Sequence, residues 1–245
     1  NKLSNILNNF SYIIVHNKYS YNKLLSTYGN HLSSKTVIIP HGSFSLYYNT
    51  SYNLNDIKLF RQQYNIPEDA FVYGFFGSIR MYKGVDLLVE AFNRISKNYN
   101  DVYLLVCGND NNRILEKYKY NNSCSKCIFR LEYIPDDRVR SCIIPFDVAV
   151  VPYRVVYTPG SAILYASFKK PIITSRIPVM LETLDGNAIY HAPEDLDSLV
   201  EAMIYAYEDR DKLNVLAERA FNAVERYSWR EIAMSTIKLY NGLDS

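Results

Sequence analysis

Phe75-Phe76-Gly77-Ser78-Ile79-Arg80-Met81-Tyr82-Lys83-Gly84 holds the decisive change of pattern in this chain. The apolar run Phe71–Phe76 that leads into it reads as a buried strand, and Gly77 supplies a turn. Arg80 and Lys83 follow three residues apart, and helical periodicity starts at Gly84, with Val85, Leu88, Val89, Phe92 and Ile95 on one face of Val85–Lys97. Free N–H groups at a helix start, with two cations over them, make an anion site whose natural occupant is a phosphorylated ligand. The spacing alone leaves the plainer alternative open, a surface turn with two solvated cations.

Working outward, short apolar runs alternate with helical segments. The predicted strands are Tyr12–His16, Val37–Pro40, Phe71–Phe76, Val102–Cys107, Ile128–Leu131, Val148–Val151, Pro171–Thr174 and Ala188–Tyr190. Their residues are continuously apolar, as in a parallel sheet covered on both faces. Helices are predicted over Ala162–Phe168, Leu196–Tyr207, Leu213–Tyr227 and Trp229–Leu239, the last with Ser228 as N-cap. The alternation predicts an α/β, doubly wound Rossmann-like sheet with its ligand at the C-terminal strand ends. Pro40-His41-Gly42 and the Ser/Tyr/Asn-rich stretch to Asn55 read as a linker. The forty or so residues before it are too few for a sheet domain of their own, so they are expected to be the tail of a larger one.

Composition narrows the function classes. A net charge of +2 argues against nucleic acid as the main partner, and 48% hydrophobic residues suffice for a core. No apolar run reaches the roughly 18 residues of a membrane span. The chain opens Asn1-Lys2-Leu3-Ser4 without Met or signal-peptide pattern, and is expected to be a fragment. The 23 tyrosines carry no assigned chemistry. Cys107 ends a strand and is expected to be a buried thiol. Cys124 and Cys127 form a lone CxxC without a second pair or nearby His, which favours a reduced pair over zinc or redox chemistry.

A second segment, Val151-Pro152-Tyr153-Arg154 on to Tyr157-Thr158-Pro159-Gly160-Ser161-Ala162, also leaves a strand and enters a helix. Hydroxyls and N–H groups at that helix mouth suit a second anion contact, although Ser or Thr there can simply cap the helix. Two such turns in one sheet would make a diphosphate cradle.

With these landmarks in order, the chain resembles the C-terminal, donor-binding domain of retaining GT-B glycosyltransferases of the group 1, or family 4, type. The resemblance rests on Ile38–Gly42, Gly77–Phe92, Val106-Cys107-Gly108, Tyr133–Asp137, Asp147–Tyr153, Lys170–Thr174 and Tyr227-Ser228-Trp229. It implies three parts: residues 1–42 as the tail of an acceptor-side domain, 43–227 as the nucleotide-sugar domain, and 228–245 as a helix packing back toward the first. It implies transfer of a sugar from a UDP- or GDP-linked donor to a hydroxyl, with retention, in bacterial polysaccharide or glycolipid synthesis. Metal and cofactor are expected to be absent. Arg80 and Lys83 would be the catalytic cations, neutralising the departing diphosphate. Gly77, Ser78, Ile134, Tyr153, Thr158, Gly160, Ser161 and His41 would bind the donor, with Ile134 facing the base. The acceptor would be a carbohydrate or lipid-linked sugar. The implied location is cytoplasmic, at the inner face of the plasma membrane, with membrane contact made by the first domain.

The chain departs from the pattern in three places. The more frequent family arginine would directly follow Gly77, where Ser78 stands, which leaves Arg80 as candidate. Two family glutamates eight positions apart fall on Val156 and Leu164. Arg176 and Ile177 replace loop glycines before Glu182, a residue whose plainer reading is structural. These losses keep a non-catalytic nucleotide-sugar-binding module open beside the enzyme. An epimerase or hydrolase ranks last, since no acid–histidine pair lies near the turns. His16, His31 and His191 receive no role.

Overall fold

The computed structural model describes residues 2–48, 50–116, 118 and 126–242, with the Lys2 side chain excepted. Cys124 lies outside the described residues.

A six-stranded parallel sheet forms the centre. Its strands are β3 (Phe71–Phe76), β4 (Val102–Cys107), β5 (Cys127–Arg130), β6 (Val148–Val151), β7 (Ile172–Ser175) and β8 (Ile189–His191), in the spatial order β5-β4-β3-β6-β7-β8. Each starts and ends within a residue or two of its predicted bounds. From β3 the chain winds outward to β4 and β5, then returns to β6 beside β3 and winds the other way. Right-handed crossovers therefore place helices on opposite faces, and the order reverses between β3 and β6. The expected doubly wound sheet is the observed one.

Around it lie α3 (Leu54–Gln63), α4 (Val85–Ile95), α5 (Val139–Ile143), α6 (Gly160–Ser167), α7 (Pro178–Thr183), α8 (Leu196–Glu208), α9 (Arg210–Glu225) and α10 (Trp229–Tyr240). Helix α4 packs on α8, and α6 on α9. Helix α3 is a correction to the linker reading: Asn53 and Asp56 form a capping box, and the helix starts within the supposed loop. The same device, Ser228 with Glu231, starts α10 where expected.

The switch point is tied at both ends. At the N-terminal ends, the buried Arg61 bonds the Asp147 carboxylate at 2.7 Å, and that carboxylate accepts the Val72 N–H at 2.7 Å. At the C-terminal end, the Tyr165 hydroxyl donates to Phe76 O at 2.7 Å and accepts the Phe76 N–H at 2.6 Å.

Residues before the linker form α1 (Lys2–Asn8), β1 (Ile13–Val15), α2 (Lys18–Tyr28) and β2 (Thr36–Ile38). The two strands pair in parallel as a separate sheet, Ile13 opposite Thr36. This unit docks through its β1–α2 turn, where Asn17 donates to Tyr157 O at 2.6 Å. Trp229 of α10 reaches back to the linker and donates to Ser43 O at 2.6 Å.

Cys107 and Cys142 are free and buried, the first as expected. Cys127 is disulfide-bonded, so the reduced state expected for the CxxC does not hold there. No helix among the described residues is long and apolar enough to cross a membrane.

Candidate functional site

Two loops leave the sheet where its order reverses. The first follows β3. It turns at Gly77, whose φ of +134° is one that residues with side chains rarely adopt. After the buried Ile79 it makes a 3-10 turn, Met81–Lys83, closed by Gly84 in the left-handed region with φ 67°. A Cβ on Gly84 would lie 2.1 Å from the Pro152 carbonyl oxygen, so this turn fits against the second loop only as glycine.

Lys83 turns inward and is 9% exposed. Its Nζ lies 3.5 Å from Ser161 Oγ and 5.9 Å from the centre of the Phe75 ring. A Cβ on Gly77 would come within 3.1 Å of Nζ and 3.3 Å of Ser161 Oγ. Gly77, Lys83 and Ser161 therefore meet, although the last stands in the other half of the sheet. Burial, then the Arg80 charge, lowers the Lys83 pKa to about 8, and no carboxylate among the described residues pairs with it. A buried ammonium with one distant hydroxyl is half of an ion pair, and an anion would complete it. Arg80 is half-buried and donates to Asn112 Oδ1 at 3.4 Å. Ser78 is exposed.

The second loop follows β6 and ends at α6, which starts at Gly160 without a side-chain cap. The N–H groups of Ser161 and Ala162 meet no acceptor among the described residues. Simple capping by Thr158 or Ser161 is therefore not what this helix mouth uses. At α4 too, where the sequence predicts free N–H groups, the helix starts without a side-chain cap. The Asp86 carboxylate lies in the first turn of that helix and receives Arg154 in two bonds of 2.9 and 2.8 Å. Burial pushes the Asp86 carboxyl up, but these bonds outweigh it and hold its pKa below the ordinary value. The α6 start thus keeps two N–H groups without an acceptor, and the turn before α4 brings Lys83 to it. Tyr153 is buried beside it, its phenol pushed up by burial, with its ring stacked on Tyr82 at 6.2 Å.

The other residues named from the sequence line two further hollows. Ile134 lines a hollow of about 390 Å³ with Tyr64, Arg130 and Cys142. His41 and Thr158 line a cavity of about 290 Å³ between the β1–β2 unit and α6, with His16, Glu182 and Tyr227. The His41 ring also packs edge-on to Trp229 at 5.8 Å, and its Nδ1 bonds Gly42 O at 2.7 Å. Glu182 takes its structural reading: its carboxylate accepts the Lys18 and Tyr19 N–H groups at 2.8 and 3.2 Å and so caps α2. Val156 and Leu164, at the glutamate positions, are core residues with 8% and 7% exposure. Among the described residues, no group of three or more His, Cys, Asp or Glu is placed to hold a metal.

Two residues without a predicted role frame the site. Tyr165 fixes Phe76, and Arg154 fixes the 3-10 turn. No local motif signals either one, since each acts on backbone atoms distant in sequence.

Residues 56–223 match the family described as glycosyl transferases group 1. The O-antigen biosynthesis glycosyltransferase WclY of Escherichia coli is 23% identical over 191 residues, 75% of this chain and 50% of that protein. The lipopolysaccharide 1,2-N-acetylglucosaminetransferase of Salmonella typhimurium is 28% identical over 210 residues, 80% of this chain and 54% of that one. The chain thus spans about half the length of the curated relatives it matches. Among solved structures, Anabaena HepE in complex with UDP and glucose superposes with a TM-score of 0.81 at 18% identity, covering 97% of this chain and 65% of HepE.

Proposed function

Since the chain belongs to the group 1 glycosyl transferases and has their GT-B type of fold, we propose that it is the donor-binding part of a retaining hexosyltransferase. On this reading the donor is a UDP- or GDP-linked sugar and the acceptor a hydroxyl of a carbohydrate or lipid-linked sugar. Residues 1–42 belong with an acceptor-side domain, 43–227 hold the donor, and 228–245 return to the first domain. The reaction serves polysaccharide or glycolipid synthesis on the cytoplasmic side of the membrane. The observation that carries this reading is the meeting of Lys83, Gly77, Ser161 and the open α6 start at the switch point.

Each group has a role in that proposal. When the glycosidic C–O bond breaks, negative charge grows on the diphosphate. Lys83, Arg80 and the Ser161 and Ala162 N–H groups stabilise that charge more as it grows, which lowers the barrier. Ile134 lies against the base and Tyr153 lies against the donor.

The test is titration calorimetry of the chain with UDP, GDP and ADP, beside an Arg80→Ala/Lys83→Ala variant. HepE holds UDP, which makes UDP the first ligand to try. Each charge-assisted contact contributes about 1.5–3 kcal/mol, so the double variant should lose binding by a hundredfold or more, on the order of two tenfold steps. Absence of binding by every nucleotide at millimolar concentration would overturn the reading.

A second reading, a nucleotide-sugar-binding module without catalysis, is favoured by Val156 and Leu164, which put buried methyl groups where the resemblance expects carboxylates. Release of UDP from a UDP-sugar by the full-length protein separates the two. Turnover supports the enzyme, and tight binding without turnover supports the module.

A further inference from the structure

We propose that Arg154 is a positioning residue that sets Lys83 against the α6 start by bracing the 3-10 turn from across the switch point, and that it is not itself a ligand of the anion. The proposal rests on the donor-site reading and deepens it.

The Met81–Lys83 turn has few anchors of its own. The sequence supplies no capping side chain at Arg80, and Met81 and Tyr82 are exposed. Its carbonyls are held from the other half of the sheet. The Arg154 N–H donates to Tyr82 O at 2.8 Å, and the Arg154 guanidinium Nη1 donates to Met81 O. The guanidinium is fixed in turn. Nη1 and Nη2 form the bidentate pair with Asp86 in the first turn of α4, and Nε lies 3.2 Å from Glu194 Oε1. One side chain thus joins the β6–α6 loop, the 3-10 turn and α4. Since Lys83 and Ser161 stand on different sides of this joint, their separation depends on it.

The same contacts argue against a ligand role. All three guanidinium nitrogens face protein acceptors, and two carboxylates neutralise the charge. A bidentate Arg–carboxylate pair also holds orientation as well as charge, which is the property a brace needs. Arg80 and Lys83, by contrast, have no carboxylate partner among the described residues.

The test reads Lys83 directly. In the ligand-free chain with ¹³C-methylated lysines, the Lys83 ammonium is titrated by NMR in wild type, Arg154→Ala, Asp86→Ala, the double variant and the surface control Arg94→Ala. The charge facing Lys83 is Arg80 on its own turn; the Tyr153 phenol, pushed up by burial, stays uncharged through the titration. Released from the brace, Lys83 gains water, and its midpoint should rise by about one pH unit or more in both single variants. The double variant should go no further, because the pair acts as a unit. Arg94→Ala should match wild type. UDP affinity should fall about tenfold in each single variant, the scale of one lost charge-assisted contact, and no further in the double.

An unmoved midpoint with unchanged UDP affinity in Arg154→Ala overturns the proposal. So does an Asp86→Ala chain that binds UDP normally while Arg154→Ala does not, since that pattern belongs to a direct ligand. If wild type binds no nucleotide, the donor-site reading fails, while the midpoint still decides the brace. If Arg154→Ala does not fold, Asp86→Asn carries the same two measurements.

Discussion

Lys83→Met should stabilise the folded chain while removing its affinity for nucleotide. The substitution keeps an unbranched side chain of similar length and removes the charge. In the native state the ammonium is buried, its pKa brought down to about 8 from the ordinary 10.5, with desolvation as the main cause. That gap corresponds to about 3 kcal/mol of cost to the folded state, at about 1.4 kcal/mol for each tenfold. The contact at Ser161, long at 3.5 Å, returns less than about 1 kcal/mol. The net gain at pH 7 is therefore about 2 kcal/mol, or about 4–8 °C in Tm for a chain of this size. The pH dependence gives the sign check. The unfolded lysine keeps its proton up to 10.5 and the folded one releases it near 8, so wild type gains stability between those values. The advantage of Lys83→Met should be full below pH 8 and vanish by about 10.5. Urea unfolding at pH 7, 8, 9 and 10, with UDP titration at pH 7, measures both effects. A Met variant less stable than wild type at pH 7, or a stability gap that stays constant with pH, would refute the argument that Lys83 is an uncompensated charge kept for an anion.

Three further outcomes follow from the geometry. Gly77→Ala should lose about 1–3 kcal/mol from backbone strain alone, and its Cβ, 3.1 Å from Lys83 Nζ, should also abolish UDP binding by calorimetry. Glu182→Ala removes the acceptor for the Lys18 and Tyr19 N–H groups; about 1 kcal/mol of capping energy is lost, and amide exchange at the start of α2 should quicken while the β3–β6 core stays protected. Asp147→Ala leaves Arg61 buried and unpaired at the base of the switch point, and urea unfolding should report a loss of about 3–5 kcal/mol; a loss under 1 kcal/mol would show that the carbonyls of Glu68, Ala70 and Pro145 suffice to hold it.

The strands were legible because a doubly covered parallel sheet demands uninterrupted apolar runs, and Phe71–Phe76 or Val148–Val151 have no other reading in this alternation. Helix α3 was missed because Asn53, Leu54 and Asn55 look like loop residues until Asp56 completes the capping box. The bracing of the turn before Gly84 has a cause invisible in the local pattern. Asp86 suits the first turn of any helix, and only the approach of Arg154 from another loop shows that its carboxylate holds that guanidinium.

The sequence by itself determined the winding of the sheet, the two glycine turns and the residue types at them, because strand runs, turn glycines and helix periods are local consequences of backbone sterics and burial. Which of those residues meet was decided by the tertiary structure alone. Lys83 and Ser161 lie 3.5 Å apart because β6 returns beside β3. His41 and Ile134, expected from the resemblance to contact the donor, line two further hollows, one beside the linker and one beside the β5–α5 loop. Long-range pairing of strands fixes such distances, and no spacing within a single turn encodes them.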